Sequence, residues 1–451
     1  MTTTADAMDR AASLPRTALH HSLSEPLLDT MNFLNEVTLR YPQAISFAPG
    51  RPYEADFDVA RVPGLIETYL DHLRGLGLSE ERVRTALYQY GETAGQIRDI
   101  VARMLHVDED MTVDPASVVV TVGCQEAVLL TLRALFTGPD DVLLVDSPCY
   151  VGITGAAGLL GIDVVAVPGT AHGPSLDGLE RTVRELAEQG RQAKALYVVP
   201  DCSNPTGVSM RREDRTALLG AAGRLGLLLL EDNPYGVFSS VRRPTLKALD
   251  TERSVIYLGS FAKTAFPGAR VGFVVADQQV ESADGGMPGL LADELAKVKS
   301  MVTVNTSSLS QAAVAGLLLQ NGGGLRAANE VVARHYQATM RALRETLARE
   351  LPPGEPESTG VRWNDPDGGF FLTLDVPFAA DEAALRLSAE KYGVIWTPMR
   401  YFHLDDAGDR RIRLSCSGVT TDQAVDGATR LARFIKDNAR ARTEDHVPDR
   451  A

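Results

Sequence analysis

Residues 195–235 read ALYVVPDCSNPTGVSMRREDRTALLGAAGRLGLLLLEDNPY. An apolar run, a turn containing Pro and Gly, a longer helical pattern and a second apolar run follow in turn, the layout of a parallel strand–helix–strand unit. The second run closes on Asp232. A carboxylate there is expensive to bury unless something positive meets it, so it caps a helix, reaches solvent or faces a protonated ring nitrogen.

The same alternation extends from about Asp114 to Asp277, through SVVVTV (117–122), DVLLVD (141–146), DVVAVP (163–168), SVIYLGS (254–260) and RVGFVVAD (270–277). These short runs between helical patterns predict an α/β domain whose sheet is covered by helices on both faces. Helical patterns dominate from Pro288 to Leu351, and FFLTLDV, VIWTP and RIRLSCS then predict a smaller α+β domain. The resulting division is an arm over 1–40, a segment over 41–110 that joins the small domain and dimer contacts, a large domain over 111–325 and a small domain over 326–451.

Across 451 residues, 45 basic side chains face 59 acidic ones, a formal charge of −14, which gives nucleic acid or an anionic membrane no global attraction. No apolar run is long enough for a membrane span, and the N-terminus lacks the apolar core of a secretory signal. Cys124, Cys149, Cys202 and Cys416 form no CxxC pair, so they are read as reduced thiols of a cytoplasmic protein that binds no metal. Only seven of the basic residues are lysines. Six are read as surface charges that reflect base composition.

In open α/β sheets ligands bind beyond the carboxyl ends of the strands, so polar residues there carry the chemistry. Gly123, Cys124 and Gln125 sit between a strand and a helix start, as plain turn chemistry or as a phosphate cradle. Lys263 follows an apolar strand, between Ser260 and Arg270, where burial and a nearby cation would lower its pKa. Asn204 lies in NPTG, a turn in its own right. In RIRLS, Arg411 and Arg413 share one face, and a guanidinium aimed into a cleft clips a carboxylate.

In order, G-C-Q (123–125), P-x-Y (148–150), N-P-T-G (204–207), E-D-x-P-Y (231–235), S-F-x-K (260–263), P-G-x-R-x-G (267–272) and R-x-R-L-S (411–415) resemble the class I/II aminotransferases. The resemblance covers about residues 40–435. It implies fold type I, with a mostly parallel seven-stranded sheet in the large domain, and pyridoxal 5'-phosphate as cofactor. It gives Lys263 the covalent bond to the cofactor and the proton shuttle, Asp232 the ring nitrogen, and Asn204 and Tyr235 the phenolic oxygen. Tyr150 would stack on the ring, while Ser260, Arg270 and the backbone of Gly123, Cys124 and Gln125 would hold the phosphate. Arg413, helped by Asn204 and backbone near Gly50, would bind the substrate α-carboxylate, and Tyr90 would reach the phosphate of the other subunit in a homodimer.

Cys124 stands where relatives often carry serine, Ser203 where many have glutamine and Ala262 where many have serine, which touches cofactor affinity and pocket shape. The resemblance implies ping-pong exchange between an amino acid and a 2-oxo acid. NFLNEVTLRYPQAISFAPGRP and YQYGETAGQIRDIVA are similar to the aminoadipate, kynurenine and aromatic branch, and the first also to transaminases of the arylglycine 3,5-dihydroxyphenylglycine. Phe33, Tyr53, Phe57, Phe370 and Tyr401 are candidate side-chain contacts, and Arg51 or Arg400 could meet a distal carboxylate. Pyridoxal-phosphate-binding transcription regulators of this branch carry a basic winged-helix domain, for which this N-terminus shows no pattern.

Overall fold

The computed structural model describes residues 14–24, 36–55, 57–282, 284–354 and 360–445. Phe33 and the piece 25–35 lie outside them. The main sheet is built from β2 (Val118–Thr121), β3 (Asp141–Ser147), β4 (Asp163–Thr170), β5 (Gly173–Pro174), β6 (Gln192–Val198), β7 (Leu228–Asp232), β8 (Val255–Ser260) and β9 (Gly272–Val275). Their order is β2-β9-β8-β7-β6-β3-β4-β5. Each of the seven apolar runs is a strand, and the expected count of seven is exceeded by β5, an edge piece antiparallel to β4. Its proline suits an edge, because it has no N–H to give to a further strand. Strands β4, β3, β6, β7 and β8 run parallel, and β9 is antiparallel to β8 and β2.

The runs are apolar throughout because both faces are buried. Val119, Leu143, Val145, Tyr197, Leu230 and Leu258 enter one core, while Val142, Leu144, Leu196, Leu229 and Val255 enter another on the opposite face. Helices such as Cys124–Leu135, Val151–Leu160 and Arg212–Leu225 supply the covering layers. Beyond β9 a short hairpin of β10 (Gln279–Val280) and β11 (Gly289–Leu290) leads into helices Leu291–Val302 and Ser308–Gln320. Helix Ser308–Gln320 packs on helix Arg61–Gly75 so closely that a Cβ on Gly316 would lie 1.8 Å from the Leu65 carbonyl oxygen.

The C-terminal part carries a second, antiparallel sheet of β12 (Arg362–Trp363), β13 (Phe371–Asp375), β16 (Arg411–Ser415) and β15 (Thr397–Pro398), in that order. Helices Glu330–Glu350 and Thr421–Asp445 pack against each other beside it. The N-terminal segment joins this part, since β1 (Ile45–Ser46) pairs in parallel with β14 (Val394–Ile395). The Phe47 N–H then donates to the Ile395 carbonyl at 2.8 Å, and its own carbonyl accepts from Ser415 N–H at 2.7 Å. These bonds lay residues 48–51 across the carboxyl ends of the main sheet.

Among the described residues no helix is long and apolar enough to cross a membrane, and no cluster of His, Cys, Asp and Glu could hold a metal ion.

Candidate active site

A cavity of about 400 Å³ opens at the ends of β2, β6, β7 and β8, between residues 48–51 and Arg413. It gathers Cys124, Gln125, Tyr150, Asn204, Asp232, Tyr235, Ser260, Lys263, Arg270, Arg413 and Gly50 from loops far apart in sequence. A larger opening of about 690 Å³ beside it holds Asp146, Trp363 and His403, but no lysine, and its Arg411 is already paired with Asp375 at 2.6 Å. The convergent chemistry lies in the smaller one.

Asp232 ends β7 with its side chain on the face of Leu230, opposite Tyr197 of β6. The Tyr197 hydroxyl donates to Oδ2 at 2.6 Å, and the Cys124 thiol lies 3.6 Å from Oδ1. Burial pushes this carboxyl up to about 6, opposed by those two donors and by Lys263. Glu231, the neighbour on the other face, takes the helix-capping role that the sequence left open for Asp232. It accepts the backbone N–H groups of Leu246 and Lys247 at 2.8 and 2.7 Å.

The Lys263 amine reaches over the cavity to donate to the Gly50 carbonyl. Burial, then the cations Arg413 and Arg270, bring it down to about 8 against the pull of Asp232. Of the remaining lysines, Lys247 and Lys299 depart from the expected surface position. Lys299 is fully buried and meets Glu126 Oε2 and Thr303 Oγ1, each at 2.8 Å, and Lys247 meets Asp277 at 2.7 Å.

Arg413 is buried between two aromatic rings, its guanidinium carbon 4.5 Å from the Phe371 centroid and 4.8 Å from that of Phe402. Its Nη1 donates to Asn204 Oδ1 at 2.7 Å, and Nη2 donates to the Ala48 carbonyl at 2.6 Å and to Thr397 Oγ1 at 3.2 Å. Burial lowers it to about 10. Tyr235 stands beside the Asn204 side chain, and burial drives its phenol upward. Tyr150 is pushed up to about 12 by burial and by Asp232.

At the other end, Gly123 opens helix Cys124–Leu135 with φ of 77°, and a Cβ there would lie 2.4 Å from Arg270 Nη2. Only glycine lets that guanidinium rest on the backbone of a helix start. Ser260 lines the same end, and the Gln125 side chain donates to the Gly152 carbonyl at 2.7 Å. Tyr90 is 83% exposed and stands apart from these residues.

The donor set fits a phosphorylated pyridine aldehyde. It offers a helix start with an arginine for phosphate, a buried carboxylate for a ring nitrogen, and an amine of lowered pKa for the aldehyde. Arg413 Nε is a buried donor with no partner among the described residues, which suits a substrate carboxylate.

Of the side-chain candidates, Tyr401 and Arg51 line the cavity. Phe370 is buried in an aromatic cluster with Tyr235, Phe238 and Tyr336, Tyr53 stacks on His335 and Phe57 is exposed. Arg400 faces Asp409 at 3.7 Å. The sequence reading missed Tyr197, Thr397 and the rings of Phe371 and Phe402. Tyr197 carried one signal, as the only polar tip in its apolar run.

A fold and site of this kind define a pyridoxal-phosphate enzyme of fold type I. A model of the family "Aminotransferase class I and II" matches residues 63–431, and the chain belongs to this family. It is 47% identical over 431 residues to a (S)-3,5-dihydroxyphenylglycine transaminase of Amycolatopsis orientalis, covering 95% of this chain and 96% of the relative. A 2-aminoadipate transaminase of Thermus thermophilus is 30% identical over 90% of this chain and 94% of its own. The crystal structure of LysN, an alpha-aminoadipate aminotransferase of Thermus thermophilus complexed with N-(5'-phosphopyridoxyl)-L-leucine, superimposes with a TM-score of 0.76. It is 27% identical, over 94% of this chain and 98% of that one. The protein is a pyridoxal-phosphate-dependent aminotransferase.

Proposed function

We propose that this aminotransferase moves the amino group between an aromatic or arylglycine L-amino acid, 3,5-dihydroxyphenylglycine foremost, and a 2-oxo acid. The two half-reactions follow a ping-pong order. The observation supporting this substrate is the likeness to the dihydroxyphenylglycine transaminase, 47% over nearly the whole of both chains. It suits a cytoplasmic enzyme of secondary metabolism that handles an antibiotic precursor.

When bound, pyridoxal phosphate supplies a protonated ring that takes up the electron pair left by the departing α-proton. Lys263 would hold the cofactor, and its amine of lowered pKa would take the α-proton and return it. Asp232 would pair with the ring nitrogen and keep it protonated. Asn204 and Tyr235 would hold the phenolic oxygen, Tyr150 the ring face, and Gly123, Cys124, Gln125, Ser260 and Arg270 the phosphate. Arg413 clips the α-carboxylate with Asn204 and backbone near Gly50, and so directs which Cα bond breaks. Tyr90 serves the partner's site in a homodimer, and the division at 40, 110 and 325 describes arm, joining segment and two domains.

A second reading, 2-aminoadipate, is favoured by Arg51. Arg51 lines the cavity, its side chain is 62% exposed, and its guanidinium meets Glu54 at 3.2 Å. The test mixes the pyridoxal form with arylglycines, aromatic amino acids and 2-aminoadipate and follows the absorbance of each half-reaction. Fastest conversion by arylglycines is expected. Fastest conversion by 2-aminoadipate selects the second reading, and no conversion by any amino acid removes both.

A further inference from the structure

We infer that Tyr197 is a positioning residue for Asp232, fixing one carboxylate oxygen with its hydroxyl while the Cys124 thiol leaves the other oxygen free to accept. The inference rests on the proposed pairing of Asp232 with the cofactor ring. In register Tyr197 stands opposite Leu230, so Asp232, two residues on, lies on the same face and within reach of the phenol. The bond from Tyr197 to Oδ2 is 2.6 Å long, the length of a charge-assisted O–H···O bond, and Tyr197 is 1% exposed. It therefore holds the carboxylate in one rotamer without competition from water.

The second oxygen is treated differently. The Cys124 thiol lies 3.6 Å from Oδ1, and a thiol is a weak donor. A ring N–H arriving at Oδ1 displaces little. The groups facing Asp232 are Tyr197 on β6, Cys124 at the helix start, Lys263 after β8, and the phenols Tyr150 and Tyr235. Among them Tyr197 is the donor that favours the ionised carboxylate most, so its removal raises the pH at which Asp232 takes up a proton.

The experiment measures the dissociation constant of pyridoxal 5'-phosphate against pH by absorbance, for the wild type, Tyr197→Phe, Cys124→Ala, Asp232→Asn and the double variant Tyr197→Phe/Asp232→Asn. Phenylalanine keeps the buried ring, and thermal unfolding of the cofactor-free variant checks that the fold is retained. Tyr197→Phe should weaken the cofactor about tenfold near neutral pH and move the acid limb of its binding up by about one unit. Cys124→Ala keeps the backbone N–H at the helix start and removes only a weak donor, so it should weaken the cofactor less than Tyr197→Phe does and leave the acid limb in place. Asp232→Asn should weaken binding strongly, and Tyr197→Phe should add nothing to it. An unchanged acid limb in Tyr197→Phe, or an equal further loss in the double variant, overturns the role of Tyr197 while leaving that of Asp232 intact. Unchanged affinity in Asp232→Asn overturns the proposed pairing itself.

Discussion

Glu231 and Asp232 are neighbours at the end of β7, both buried, one on each face of the sheet, and burial raises both, to about 7 and about 6. Glu231 is satisfied by two backbone N–H groups at the start of helix Leu246–Leu249, so it has structure to hold and nothing left to do. Asp232 meets a phenol, a thiol and a cavity. The same contrast divides two lysines. Lys299 is locked to Glu126 and Thr303, whereas Lys263 has a carbonyl oxygen for a partner and two arginines nearby. A buried charge that its own fold satisfies is architecture, and one left for a ligand to satisfy marks the site.

Substitutions at these pairs should therefore separate function from stability. Lys263→Ala should lower turnover by about 10⁴-fold, as expected for loss of a general base and covalent anchor. Unfolding of the cofactor-free protein should be unchanged or slightly harder, since a disfavoured buried amine is gone. Lys299→Met should do the reverse, destabilising by about 3–5 kcal/mol because Glu126 is left unpaired, with Lys263 still binding cofactor. Thermal unfolding and steady-state rates on both proteins check the inversion.

Asp232→Asn should lower kcat by about 10³-fold, while Glu231→Gln should cost about 1–3 kcal/mol of stability and little cofactor affinity. Equal loss of activity in the two would dissolve the contrast between the faces. Arg413→Lys loses the planar fork held between Phe371 and Phe402 and should lower kcat/KM for amino acids by about 100-fold. A matching fall in stability without that loss would make Arg413 a core residue like Arg215, which is fully buried against Asp201 at 2.6 Å.

The smallest effect is in pH. With Lys263 at about 8, the folded cofactor-free protein binds fewer protons than the unfolded chain between that pH and the ordinary lysine value of 10.5. Stability from this group therefore rises with pH across that window, and the advantage of Lys263→Ala over the wild type should shrink there. Amine labelling of Lys263 in the cofactor-free protein should show a midpoint near 8, with Lys299 unreactive.

The main sheet was legible because parallel strands covered on both faces must be apolar throughout, so seven runs gave seven strands. The eighth, Gly173–Pro174, has neither length nor pattern. The main polar residues of the cavity were legible because open sheets put them at strand ends. Tyr197 was not, because its role depends on the β6–β7 register, which pairs it with Leu230 and so places it beside Asp232. Lys299 was not, because its partner Glu126 lies 173 residues away on another helix. Nor were Phe371, Phe402 and Thr397 around Arg413, since three separate elements converge there.

Borohydride reduction of the pyridoxal form, followed by peptide mapping, identifies the lysine that anchors the cofactor. The reduced cofactor label is expected on the peptide carrying Lys263, and is lost in Lys263→Ala. A label on Lys299, Lys247 or any other lysine would contradict it.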